Sequence, residues 1–159
     1  MNMKKITLNK EYARRHGAVA LLMCGLFFWF AYDGFIVYPR TPAHDLYVSI
    51  EGSEPPKGCD LEAFKTQKTR TQYLFALLAA LATLTIGGRL AKAARLNVAF
   101  GDTGFTWDGK SYSYKDITHV DDSKWAKKGI TVVTVGGRRL TLDGWHHAGV
   151  TEMHAKFMV

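Results

Sequence analysis

The stretch Tyr73–Gly88, YLFALLAALATLTIGG, decides the fold: sixteen residues without a charge, followed at once by Arg89 and Lys92. A run this long and this apolar exceeds what a small soluble domain needs for a strand or a surface helix. By itself it falls short of a bilayer's hydrocarbon thickness. Arg89 and Lys92 can snorkel, however, and Ala91, Ala93 and Ala94 continue the helical composition, so the usable span reaches about 20 residues. Upstream, neither Pro nor Gly intervenes back to Asp60, which has the chemistry of an N-cap, with Leu61 and Phe64 on one face. The pattern predicts a second transmembrane helix that begins outside the bilayer.

A matching block lies earlier in the chain. Ala18–Tyr38 holds 21 residues whose only charge is Asp33, enough to reach about 31 Å as a helix. The basic start, MNMKK, and the apolar AVALLMCGLFFWFAY also suit a signal peptide. No small-residue cleavage site follows, and Phe27, Phe28, Trp29, Phe30 and Tyr32 crowd the place where one should sit, which favours an uncleaved anchor. Leu21-Leu22-Met23 before Cys24 is likewise a poor lipoprotein site. Ala18, Ala20 and Gly25 in the first block, with Ala76, Ala79, Ala80, Ala82 and Thr83 in the second, let two helix backbones approach. Asp33, beside Gly34 and near Tyr38, fits an interfacial anchor better than an ion or proton pathway.

The formal charge of +7 sits around these blocks. Residues 1–16 carry five Lys/Arg against Glu11, residues 89–95 carry three with no acid, and residues 39–72 and 96–159 are close to balance. That distribution follows the positive-inside bias, whereas a nucleic-acid module concentrates charge on its folded domain, so no nucleic-acid partner is expected. Eight Lys/Arg in the outer flanks against five in the loop place both termini in the cytoplasm. The loop holds all four prolines and one short apolar alternation, Leu46, Val48 and Ile50, and it is a connector or contact surface. Cys24 in a span and Cys59 in the loop are expected to remain unpaired.

After Arg95 the period changes to two. Phe105 and Trp107 alternate up to the turn pair Asp108-Gly109, and Tyr112 and Tyr114 alternate with serines on the return. Asp116–Val120 is a short strand and Ile130–Val135 another. Gly136-Gly137 turns the latter into Arg138–Leu142, where Leu140 and Leu142 share a face. Val150, Met153 and Phe157 recur at helical spacing. The expected fold class is therefore a membrane α-helical hairpin followed by a small α+β domain, an antiparallel meander with one C-terminal helix. The expected segments are a basic arm 1–16, spans at 17–38 and 73–94, an extracytoplasmic loop 39–72, and a β domain 96–159.

The run GFTWDGKSYSYKDITHVDDSKWAKKGITVVTVGGRRLTLDGW, with a G-x-x-W-x-G hairpin, a Y-x-D-I-x-x-V strand, paired strands and a terminal helix, resembles a bacterial pleckstrin-homology-like (PH-like) domain. The resemblance covers about residues 96–159. It implies a sheet of about seven strands plugged by a C-terminal helix. It also implies a place after one or two transmembrane helices, here in the inner membrane of a bacterium.

Candidate chemistry is sparse. His146, His147 and His154 invite a metal site, but no cysteine or helical His-Glu pair joins them, and solvated histidines are expected. Asp121-Asp122 beside Ser123 is a polar turn, and no G-x-S-x-G, P-loop or H-E-x-x-H motif occurs. No catalytic residue, metal or cofactor is expected. The one suggestive cluster is Lys124, Trp125, Lys127, Lys128, Arg138 and Arg139. Gathered at one end of the sheet, these would meet anionic headgroups of the lipid bilayer or a protein partner, or simply form a solvated edge. The sequence thus points to a non-enzymatic integral membrane protein displaying a small cytoplasmic PH-like domain for protein or lipid contact. The alternatives are an accessory subunit of a larger membrane transport or respiratory complex, and an enzyme using the histidines.

Overall fold

The computed structural model describes residues 3–158 of the chain. They divide into two compact units. One combines residues 3–16 with 88–158, and the other spans residues 17–87.

The first unit is mainly β. Its strands are β1 (Lys4–Lys5), β2 (Thr7–Leu8), β3 (Val98–Phe100), β4 (Gly104–Trp107), β5 (Lys110–Ser113), β6 (Ile117–Asp121), β7 (Ile130–Val135), β8 (Arg138–Asp143) and β9 (His147–Ala148). One antiparallel sheet has the order β1-β3-β4-β5, a second has β6-β7-β8, and β2 pairs with β9. Asp108 and Gly109 both take positive φ, 48° and 81°, as a two-residue hairpin turn between right-twisted strands demands. Tyr114, expected on the return strand, instead enters a 3₁₀ turn, Tyr114–Asp116, capped by Ser113.

Residues 4–8, expected within the basic arm 1–16, are part of this unit. Lys4 lies opposite Phe100 and Thr7 opposite Ala148, while Ile6 N–H donates to Val98 O at 2.9 Å. Ile6 joins Val98, Phe100, Phe105, Val135, Leu140, Leu142, Val150 and Met153 in the core. The two main sheets, the segment between β1 and β2, and the terminal helix all contribute to it. Leu140 and Leu142 face inward as their alternation predicts, and the C-terminal helix seals the core through Val150 and Met153.

The second unit is a helical hairpin. Helix α1 (Lys10–Tyr32) continues through a π-helical turn, Asp33–Val37, into α2 (Tyr38–Arg40). After Thr41 and Pro42 comes α3 (Ala43–Glu51), and then α4 (Leu61–Ala94), whose first turn is capped by Asp60 Oδ1 accepting from Ala63 N–H at 2.9 Å. The segment around Leu46, Val48 and Ile50 is thus helical, contrary to the alternation it shows. Leu46 and Ile50 are also one helical turn apart, and Leu46 is buried while Tyr47 meets Phe64 at 4.7 Å.

Phe30 meets Phe75, Phe35 meets Tyr73, and Gln72 Nε2 donates to Tyr38 Oη at 2.9 Å, which fixes α1 and α4 as antiparallel neighbours. Gly34 permits the approach. A Cβ there would fall 2.9 Å from the Tyr73 ring. Asp33 Oδ2 accepts from Trp29 Nε1 at 2.9 Å. Ala76 and Ala79 are buried one turn apart, while Leu21 (75% exposed), Phe35 (68%) and Leu84 (72%) point away from the protein. The chain therefore carries two helices long and apolar enough to cross a membrane, with apolar surface left bare along both. Cys24 and Cys59 are both free thiols.

The remaining helices belong to the β unit: α5 (Trp125–Lys128), between β6 and β7, and α6 (Val150–Phe157) at the end of the chain.

Candidate functional site

The basic cluster expected from sequence is not gathered in one place. Lys124 and α5 precede the start of β7, whereas Arg138 and Arg139 begin β8 opposite Val135 and Thr134, at the other end of the same strand. Six residues of β7 separate them, about 17–20 Å of extended chain. Pairing across Gly136-Gly137 brings Arg138 and Arg139 to the tip of the hairpin, and α5 lies by necessity at its open end.

Trp125 has a packing partner of its own. Its ring stacks on His154 at 3.8 Å between centroids and lies against the core. His154 Nε2 in turn lies 3.0 Å from Asp122 Oδ2, and Asp122 Oδ1 accepts from Thr131 Oγ1 at 2.5 Å. The pair Asp121-Asp122 is thus split between roles. Asp122 joins β6 to α6 and β7. The Asp121 carboxyl lies below the ordinary carboxylate range because Ser123 hydrogen-bonds to it.

Of the three histidines expected to be solvated, only His146 keeps part of its side chain exposed. His147 and His154 are buried, and His146 lies tilted against buried Tyr12 at 4.4 Å between centroids, with Nδ1 lying 3.2 Å from Asp143 Oδ2. Tyr12 also meets His16 at 4.1 Å and the edge of Trp145 at 6.5 Å, and Arg15 lies over Trp145. The basic arm is therefore held by aromatic contacts as well as by strand pairing.

Asp143, His146 and His147 border a partly enclosed cavity of about 460 Å³. Arg89, Lys92, Ala93 and Leu96, at i, i+3, i+4 and i+7, bring one face of the end of α4 and the residues just after it to its edge. Trp107 supplies a second apolar wall, and Thr141 and Asp143, two apart on β8, a polar one. His146 and His147 complete the lining. His147 Nε2 lies 3.0 Å from the carbonyl oxygen of Ala93, at the end of α4 where carbonyls lack intrahelical partners. A carbonyl only accepts, so Nε2 carries the proton. His147 is 7% exposed, and its Nδ1 is buried without a hydrogen-bond partner among the described residues.

Asp143 is already engaged. Its Oδ1 accepts from the backbone N–H groups of Trp145 and His146 at 2.9 and 3.3 Å, while its Oδ2 faces the His146 ring. Arg89 and Lys92 are exposed, and neither side chain has an ion-pair or hydrogen-bond partner among the described residues. The cavity thus offers two unneutralised cations beside an apolar wall and a buried imidazole. That is chemistry for holding an amphipathic oxyanion. In the sequence, Arg89 and Lys92 stand out as snorkelling residues and as part of the basic flank. Their spacing with Ala93 and Leu96 was the available signal, but the strand face opposite was not visible. Comparison with family models, with curated proteins and with solved structures finds no match.

Proposed function

We propose that the chain is a non-enzymatic integral membrane protein of a bacterial inner membrane. It crosses the bilayer twice and displays a PH-like β domain on the cytoplasmic face for contact with lipid or a partner protein. One observation carries this: residues 4–8 and 98–153 form a single core around Ile6, although both apolar helices lie between them in sequence. A membrane cannot divide a hydrogen-bonded sheet, so the chain must cross it an even number of times. The apolar residues left bare on both helices support the same view. The excess of Lys/Arg in the flanks supports the cytoplasmic side. A four-stranded and a three-stranded sheet closed by a terminal helix support the PH-like reading.

The test is thiol labelling in intact cells with an impermeant reagent, coupled to alkaline-carbonate extraction of the membranes. Cys59 should react from outside and the chain should stay in the pellet. Labelling only after lysis would reverse the topology, and release of the chain by carbonate would end the membrane assignment.

A further inference from the structure

The cavity beside the end of α4 has a specific ligand chemistry. We infer that it holds the phosphate of an anionic phospholipid, an assignment that rests on the membrane reading above. Arg89 is the first residue after the uncharged run Tyr73–Gly88, and Lys92 follows one turn later on the same face. In a spanning helix these positions coincide with the headgroup layer. Two cations there, with no carboxylate of their own, form a site for a phosphate oxygen pair.

The rest of the lining distinguishes a lipid from a free anion. Ala93, Leu96 and Trp107 give the cavity an apolar wall that inorganic phosphate cannot use but a glycerol backbone and the start of an acyl chain can. His147 borders the same cavity as a fixed wall: its Nε2–H is committed to Ala93 O and its Nδ1 is buried, which leaves an anion to Arg89 and Lys92. Asp143 keeps its negative charge, but both its oxygens are held by two backbone N–H groups and the His146 ring, and Arg89 and Lys92 together leave the lining net positive.

The experiment uses the full chain in a mild neutral detergent. Binding of dihexanoyl phosphatidylglycerol, dihexanoyl phosphatidylcholine and inorganic phosphate is read by native mass spectrometry. Phosphatidylglycerol should bind at least about tenfold tighter than phosphatidylcholine, and Arg89→Gln/Lys92→Gln should weaken it about 30-fold, the equivalent of two surface charges. Both side chains are exposed, so the variant should fold. Lys5→Gln/Lys115→Gln, which removes two exposed cations outside the cavity, should bind like the parent. Inorganic phosphate binding as tightly as the lipid would overturn the lipid assignment. Equal binding of the two lipids, or an unaffected Arg89/Lys92 variant, would overturn the site. Carbonate extraction of the same membranes separates the two levels. A chain that stays in the pellet but shows no selectivity removes only the cavity assignment, and a chain that is released removes the membrane reading and this inference with it.

Discussion

Replacing Ile6 by Ala tests whether the N-terminal arm is structural. Ile6 is 1% exposed and lies in the core with Val98 and Val150, so the substitution removes three fully buried carbons. At about 0.8 kcal/mol per methylene the transfer loss is about 2.4 kcal/mol. The void left behind brings the total to about 3 kcal/mol, within the ~2–5 kcal/mol found for buried Ile→Ala changes. A unit of about ninety residues has about 4–13 kcal/mol in all. A loss of about 3 kcal/mol lowers the Tm by roughly 12–24 °C. The assay is thermal unfolding of the detergent-solubilised chain followed by tryptophan fluorescence, to which Trp107, Trp125 and Trp145 contribute from this unit. Lys4→Ala, which removes only an exposed ion pair with Glu152, should change the Tm by no more than a few degrees. A shift below roughly 4 °C for Ile6→Ala, under about 1 kcal/mol, would mean that the arm lies outside the core. The two ends of the chain would then be free to lie on opposite sides of the membrane.

Three further outcomes follow from the same packing. Trp125→Ala should cost about 2–3 kcal/mol, because the ring stacks on His154 and covers the core; unchanged melting with weaker vesicle binding would show a surface anchor instead. Gly104→Ala should destabilise the β unit by at least about 2 kcal/mol, because the new Cβ would lie 2.2 Å from the backbone oxygen of Tyr112, which cannot yield; a melt like the parent's would mean that β4 and β5 are not in this register. His44, fully exposed in α3, should titrate above the ordinary imidazole value of 6.5, first because of its hydrogen bond with Glu54 and then because of Asp45. Its folded value exceeds the unfolded one, so the contact with Glu54 strengthens folding below the ordinary value and fades as pH rises through the raised one. Glu54→Gln should bring the His44 NMR titration back toward 6.5, and an unmoved midpoint would exclude the contact.

The elements set by short-range pattern were legible. Asp108-Gly109 and Gly136-Gly137 demanded positive φ at both positions, so the hairpins fell where they were expected. Ile130–Val135 was legible as a strand from its β-branched residues, and its burial alternates along the chain. Leu46, Val48 and Ile50 did not, because a stretch so short fits both periods, and burial of Leu46 with packing of Tyr47 on Phe64 decided for helix.

The site depended on contacts distant in sequence. Lys124–Lys128 and Arg138-Arg139 looked adjacent because they flank one hairpin. An extended strand nevertheless keeps its two ends apart by its own length, and that separated the cluster. Histidines 146 and 147 looked like surface residues, and only the arrival of Tyr12 and the end of α4 buried or covered them.

Sequence alone determined the two apolar rods, the hairpin turns and the terminal amphipathic helix. Each follows from hydropathy and dihedral preference within a window of some twenty residues or fewer. Tertiary structure alone decided that residues 4–8 complete a core begun near residue 98, and that Arg89, Lys92 and His147 border one cavity. Strand pairing and buried contacts join groups whose separation along the chain leaves no periodic trace.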